Sequence, residues 1–265
     1  MKIEVLVTTM HQSDISKYTE MNLQTDVVIA NQADRCDFEE TEINGNNVRF
    51  VTTDTTGASL NRNIALTYSK GDILIFSDDD QVFVDGYEQI IENAFNENPD
   101  ADAIKFYCES TNKERPMSYK GVKETIKASK RKIMSAGVHA LAVRKAFLEK
   151  NDIWFDNRIG PGQKIYCGED SVFLNTLFKC KAKFYLSPVF LSYINQGESS
   201  WFKGYDEQFC ISVGYIYSLI YGSLAPLAAF RRSLRESRKK NCELTLKQLF
   251  FTMLKGIKKQ RKRGK

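Results

Sequence analysis

DILIFSDDDQVF, residues 72–83, runs four apolar residues in a row and then three adjacent aspartates. An unbroken apolar run of this length, bounded by polar residues, reads as a strand buried on both faces, as in a parallel sheet covered by helices. The same signature recurs on either side of it. Residues 3–8 (IEVLVT), 26–30 (DVVIA), 48–52 (VRFVT) and 103–107 (AIKFY) are short, apolar and rich in β-branched or aromatic side chains. Between the strands at 48–52 and 72–76 lies GASLNRNIALTYSKG, where Ile64, Ala65, Leu66 and Tyr68 offer an apolar helical face and Gly71 a stop. Residues 87–95 (YEQIIENAF) read as a further helix. Strands alternating with helices imply βαβ units with right-handed crossovers, so the fold class is α/β with a mostly parallel central sheet.

In such sheets ligands bind beyond the carboxyl ends of the strands. Three polar clusters fall there, at residues 8–12, 31–34 and 77–80. The three carboxylates of Asp78, Asp79 and Asp80 repel one another, and their shared field raises some of their pKa values. A divalent cation relieves that conflict, and hard carboxylate oxygens suit Mg²⁺ or Mn²⁺, which can also hold a departing diphosphate. A solvated acidic turn explains the same residues equally well. A second acidic pair follows a turn-rich loop in IGPGQKIYCGEDSVFLNTLF, where Glu169 and Asp170 open an apolar-periodic helix. Acids in a first helical turn gain from the helix dipole, which is a purely structural reason for them. A carboxylate at a helix start facing the crevice is also well placed as a general base.

Composition narrows the field. The 265 residues are 42% hydrophobic and 27% charged, which fits a folded core and excludes wholesale disorder. Only His11 and His139 are present, so HExxH metalloprotease chemistry is excluded and a Ser-His-Asp triad has few routes. No two of the six cysteines stand at CxxC spacing, which removes zinc ribbons and thioredoxin motifs. The start MKIEVLVTTM enters strand-like residues with no charged-then-apolar leader, so a cytoplasmic protein with reduced thiols is expected.

Charge is uneven along the chain. Residues 231–265 hold 14 Lys and Arg against two acids, whereas the remainder holds 24 against 31. A mildly acidic body thus carries a strongly basic tail. Residues 210–230 (CISVGYIYSLIYGSLAPLAAF) contain no charge and are long enough to span a bilayer, but Tyr, Ser, Gly and Pro226 dilute their hydrophobicity. A buried or interfacial helix pair is the expectation. Residues 244–262 (LTLKQLFFTMLKGIKKQRK) read as an amphipathic helix ending in cations. Two placements are open for it: on an anionic membrane surface, or packed on the body with a solvated basic end. Nucleic acid is not expected as a partner, because the basic end lacks interleaved aromatics.

Taken in order, a first strand with a polar end, DTTGASLNRN, FSDDD and GPG followed by GEDSVF resemble the family 2 glycosyltransferases of GT-A (Rossmann-like) fold over residues 3–200. The resemblance implies a transferase domain at 1–205 and a helical, basic C-terminal extension at 206–265. Arg62-Asn63, with Gly57 five residues before Arg62, matches the family's Gly-x-x-x-x-Arg-Asn element. Asp78 and Asp80 match its DxD motif, and Glu169-Asp170 its ED motif. Carried over, Thr8, Thr9 and Met10 with Asn31 and Asp34 would line the nucleoside pocket, and Arg62 would steady the diphosphate or the acidic cluster. Asp78 would approach the ribose, Asp80 with Asp78 would ligate Mn²⁺ or Mg²⁺, and Asp79 could take either neighbour's part. Asp170 would be the base of an inverting displacement, with Glu169 positioning acceptor or helix. His139 and Trp201 fall where the family borders its acceptor, and Ser199, Ser200 and Trp201 would form a loop closing over the donor.

The sequence departs from the family where many members carry a late histidine, since LSYINQGESSW has Asn195 and Gln196 instead. Metal would then be held more weakly, or with water and phosphate completing its shell. The polar stretch at 109–130 is expected on the acceptor side, its Lys and Arg favouring an anionic acceptor such as a lipid diphosphate-linked glycan. The partners implied are a nucleotide-diphosphate sugar, a glycan or lipid-linked acceptor, and an anionic membrane surface met by 231–265, at the inner face of the cell membrane. Two other classes share parts of this pattern. A nucleotidyltransferase would need a Gly-rich basic loop after the first strand, and TTMHQSD is neither. A non-catalytic sugar-nucleotide or membrane-binding protein shares the pocket but not the turnover.

Overall fold

The structure is a computed structural model and describes residues 1–117, 120–134, 137–195, 197, 204–239 and 242–263. The chain order is β1 (Ile3–Met10), α1 (Lys17–Glu20), β2 (Asp26–Gln32), β3 (Asp37–Ile43), β4 (Asn46–Thr53), α2 (Ala58–Tyr68), β5 (Ile73–Asp78), β6 (Gln81–Phe83), α3 (Tyr87–Glu97) and β7 (Ala103–Ser110). It continues with β8 (Ile126–Lys127), α4 (Lys130–Ile133), β9 (Leu141–Arg144), α5 (Lys145–Lys150), α6 (Glu169–Lys179), β10 (Phe184–Ile194), α7 (Glu207–Tyr221), α8 (Ala225–Glu236) and α9 (Leu246–Arg263).

Among the described residues the strands form one sheet in the order β3-β4-β2-β1-β5-β9-β7-β10-β6, with β8 paired to β10. β4, β2, β1 and β5 are mutually parallel, and β7 and β10 pair parallel to each other. β9 runs against both β5 and β7, and β3 and β6 are antiparallel at the two edges. The central strands are apolar throughout because both faces are covered. Val5, Val7, Val27, Ile29, Ile73 and Ile75 point to the face packed by Tyr87, Ile91 and Phe95 of α3. The intervening Leu6, Val28, Leu74 and Phe76 point to the opposite face, under Ala65 and Leu66 of α2 and Phe173, Leu174 and Leu177 of α6.

The expected strands and helices are all present, with the carboxyl ends of the strands one to three residues longer. The antiparallel members β3 and β9 and the pairing of β8 within the 109–130 stretch had no counterpart in the sequence reading. β3 (DFEETEI) is polar and lies exposed at an edge, where a strand needs no apolar run.

β1 pairs with β2 on one side and β5 on the other, so the sheet changes winding direction at β1. Their carboxyl ends are in register there, Thr8 opposite both Ala30 and Asp78. A crevice opens at such a switch point.

Residues 210–230 form the helix pair expected of them. Glu207–Glu236 is long and apolar enough by composition to cross a membrane, but it breaks at Gly222, and 44% of its most apolar window is buried in the protein. α9 packs along α7 through Leu249, Met253 and Ile257. The two helices touch backbone to backbone: a methyl at Gly214 would meet the Met253 carbonyl, and one at Gly256 the Ile211 carbonyl.

Candidate active site

Four chain segments meet at the switch point: the ends of β1 and β5, the start of α2 and the start of α6. Asn61 ties α2 to the sheet by donating from Nδ2 to the carbonyls of Thr9 (3.0 Å) and Ala30 (2.9 Å). Asn63 holds the next segment, donating to the Phe155 carbonyl and accepting from the Phe155 N–H, each at 2.9 Å. The 160–163 turn then lies against the α2 start, with Ala58 N–H donating to Pro161 O at 3.1 Å and Ser59 Oγ to Ile159 O at 2.6 Å. This approach requires glycine twice. Gly57 has φ 125°, and a Cβ there would stand 2.6 Å from Gln163 Nε2; one on Gly162 would stand 3.0 Å from Gly57 Cα.

The resulting cleft has a volume of about 760 Å³. Thr8, Thr9, Met10, Arg62, Asp78, Asp79 and Glu169, all singled out in the sequence, stand on its wall. Asn31 and Asp34 do not. Asn31 is fully buried, spanning Gln12 and Thr52 by hydrogen bonds, so it braces the strand ends, and Asp34 is exposed beyond β2. Gln32, Asn61, Tyr166 and Asp206 line the cleft and were not anticipated. Tyr166 donates to Asp206, the N-cap of α7, so the extension supplies part of the wall.

Arg62 is the hub of the site. It is buried, its guanidinium 5.3 Å over the ring of Phe155. Nη2 donates to Asp78 Oδ1 at 3.0 Å and Nη1 to Asp170 Oδ1 at 2.9 Å, with Glu169 Oε1 3.6 Å away. Asp170 Oδ2 accepts from the Val138 N–H at 3.2 Å. Thr8 donates to Asp78 and Thr9 to Asp79, so two of the three aspartates are held by β1 hydroxyls.

Charge sets the protonation of the group. Burial pushes Asp78 up, but Arg62 outweighs it and holds the carboxyl below the usual range. Burial raises Asp170 and Arg62 only partly offsets that, leaving it above an ordinary aspartate. Glu169 is pushed to about 7 by burial and by the neighbouring Asp170. Asp80 is pushed to about 6 by burial and by Asp78 and Asp79.

His139 is not on the cleft wall. Burial and the nearby Lys105 press it down to about 3, so the ring is neutral, and its Nε2 is buried with no hydrogen-bond partner among the described residues. Lys105, 1% exposed in β7, donates to the His139 carbonyl and places a second cation near Asp170. A lysine inside the apolar run AIKFY was the available sequence signal for it. Gln196, Ser199, Ser200 and Trp201 lie outside the described residues. Asn195 donates its backbone N–H to the Asp80 carbonyl at 2.8 Å, which puts the expected late-histidine region beside the acidic strand end.

A second cavity of about 310 Å³ lies on the other side of the acidic pair. It is lined by Glu169 and Asp170 of α6, by Phe209, Ile216 and Tyr217 of α7, and by Arg232 of α8. Glu169 borders both cavities.

Residues 27–151 match the sequence profile of glycosyl transferase family 2. That profile spans a little under half of the chain. The fold is GT-A (Rossmann-like), as the solved neighbours show. S. aureus TarS 1-349 in complex with UDP-GlcNAc superposes with TM-score 0.67 at 18% identity, covering 96% of this chain and 80% of that one. The same TarS fragment in complex with UDP gives TM-score 0.64 at 16% identity, covering 100% and 92%. No curated protein matches the sequence of this chain.

Among the described residues, no group of three His, Cys, Asp or Glu side chains converges on one metal position. The acidic strand end nevertheless suits a hard divalent cation. Asp80 is buried beside two carboxylates, which is why its proton is held so high. Oxygen donors from one or two carboxylates, completed by phosphate and water, suit Mg²⁺ or Mn²⁺.

Proposed function

We propose that the protein transfers a sugar from a nucleotide-diphosphate donor, UDP-sugar favoured, to a glycan or lipid-linked acceptor with inversion at the anomeric carbon. The observation that carries this is Arg62 joining the acidic end of β5 to the acidic start of α6 across the cleft. The donor class is supported by the TarS structures with UDP-GlcNAc and UDP. The nucleotide occupies the larger cleft against Thr8, Thr9 and Met10, with Asp78 toward the ribose. Asp80 and Asp78 would hold Mn²⁺ or Mg²⁺, which would supply positive charge to the leaving diphosphate.

Asp170 accepts the proton of the acceptor hydroxyl as that oxygen attacks the anomeric carbon opposite the departing nucleotide. Its raised pKa makes it a stronger base than an ordinary aspartate, and Arg62 keeps it ionised. Glu169, between the two cavities, positions the acceptor. The smaller cavity admits that acceptor, so residues 206–265 complete a transferase domain at 1–205. The basic extension brings the enzyme to an anionic membrane surface on the cytoplasmic side, where a lipid-linked acceptor resides.

Calorimetric titration with UDP, GDP and CDP, each with Mn²⁺ and again with chelator, tests the donor site. One nucleotide is expected to bind, and its binding to vanish with chelator and in Asp80→Ala. No binding of any nucleotide by well-folded protein overturns the reading.

A further inference from the structure

α8 and α9 bury one side against α7 and each other and leave the opposite sides bare. In α8 the outward stripe is Leu227, Arg231 and the half-buried Leu234, with Arg238 just past the helix end, and in α9 it is Lys247, Phe251, Lys258 and Lys262, residues three, four or seven apart and so on one face of each helix. Leu227 and Phe251 are each 60% exposed, and Leu224 just before α8 is 64% exposed. Phe230 stacks edge-on to Phe250 at 5.5 Å, and Phe250 contacts Phe251 at 5.7 Å, so the apolar parts of the two stripes join across the helix boundary.

Lys255, on the same face of α9, pairs with Glu207, and the other cations of the stripes are uncompensated. Arg231, Arg238, Lys247, Lys258 and Lys262 make no ion pair among the described residues. Of the two acids in this part of the chain, Glu236 is buried and already taken by Arg232, Arg235 and Lys239.

We propose that this face docks on an anionic lipid bilayer, with Leu224, Leu227, Phe230 and Phe251 entering the boundary between headgroups and acyl chains and the cations lying at the lipid phosphates. The proposal deepens, and rests on, the reading that the extension brings the enzyme to a membrane. Large apolar side chains bracketed by lysine and arginine on one helical face are what an interfacial helix needs, because insertion and charge attraction add. The break at Gly222 and the burial of α7 favour a helix pair lying on the bilayer rather than one crossing it. A second copy is a poor occupant, since it would press two positive faces together.

Co-sedimentation of the full chain with phosphatidylcholine vesicles, with and without phosphatidylglycerol, tests the face. Wild type is expected to bind only the phosphatidylglycerol vesicles and to be released by salt. Leu227→Ser with Phe251→Ser should weaken that binding by about a hundredfold. Arg231→Gln with Lys258→Gln should weaken it by about tenfold or more. Leu224→Ser with Leu227→Ser is the second apolar variant, and UDP titration of every variant reports folding separately from docking. If wild type binds anionic vesicles and both apolar variants bind equally well, this face is overturned while the membrane reading stands. If wild type binds no vesicle, both fail. A wild-type dimer in sedimentation that the apolar variants abolish would assign the face to a second copy and overturn the proposal.

Discussion

Asp78 at the end of β5 and Asp170 at the start of α6 are joined through one guanidinium, each accepting from a different nitrogen of Arg62. Arg62→Met should therefore disturb both ends of the reaction at once. We expect kcat to fall by about a thousandfold and the acid limb of the pH–rate profile to move to higher pH, because Asp170 loses the charge that favours its ionised form. Arg62→Lys, which cannot reach both carboxylates with a fork, should fall between. Sugar transfer measured across pH checks this; an unmoved acid limb would detach Arg62 from the base.

Asp170→Asn should separate binding from turnover. The amide keeps the size of the side chain and cannot accept the proton, so kcat should drop by at least about a hundredfold, while UDP affinity stays as in wild type. Glu169→Gln should cost less in kcat and more in acceptor KM. Equal turnover by Asp170→Asn would remove it as the base.

Two glutamates should tilt stability with pH in opposite directions. Glu169 holds its proton to about 7 in the folded protein against 4.5 when unfolded, so stability should decline as pH rises across that window and level off above it. Glu236 is shifted down to about 2, so its contribution is complete above 4.5 and is lost as pH falls toward 2. Urea denaturation at several pH values, repeated on Glu169→Gln and Glu236→Gln, should show each slope vanish with its own variant. Screening of the half-exposed cations limits the Glu236 contribution to about 2 kcal/mol.

Gly214→Ala or Gly256→Ala should force α7 and α9 apart, because each added methyl meets a backbone carbonyl that cannot turn away. A loss of about 3 kcal/mol is expected from such overpacking, together with weaker acceptor use, since α7 and α8 line the smaller cavity. Thermal melts and acceptor KM measure the two effects.

The central strands, α2 and the position of Asp78–Asp80 at the end of β5 were legible in the residues themselves, because a strand buried on both faces has to be apolar throughout. Local pattern also marked Glu169 as a helix start. β3 and β9 left no such trace: one is a polar edge, and the other is a four-residue strand that the rest of the sheet pins against β5 and β7. Asn31 follows an apolar run just as the cleft residues do, and only the packing of β2 against Gln12 and Thr52 turns it inward. Lys105, the second cavity and the joining of Asp78 to Asp170 arise from elements distant in the chain. Chain order alone shows which segments are buried and where acidic groups end them. Which of those groups share a cation follows from the folded arrangement, because through-space charge and burial depend on distances that chain order does not encode.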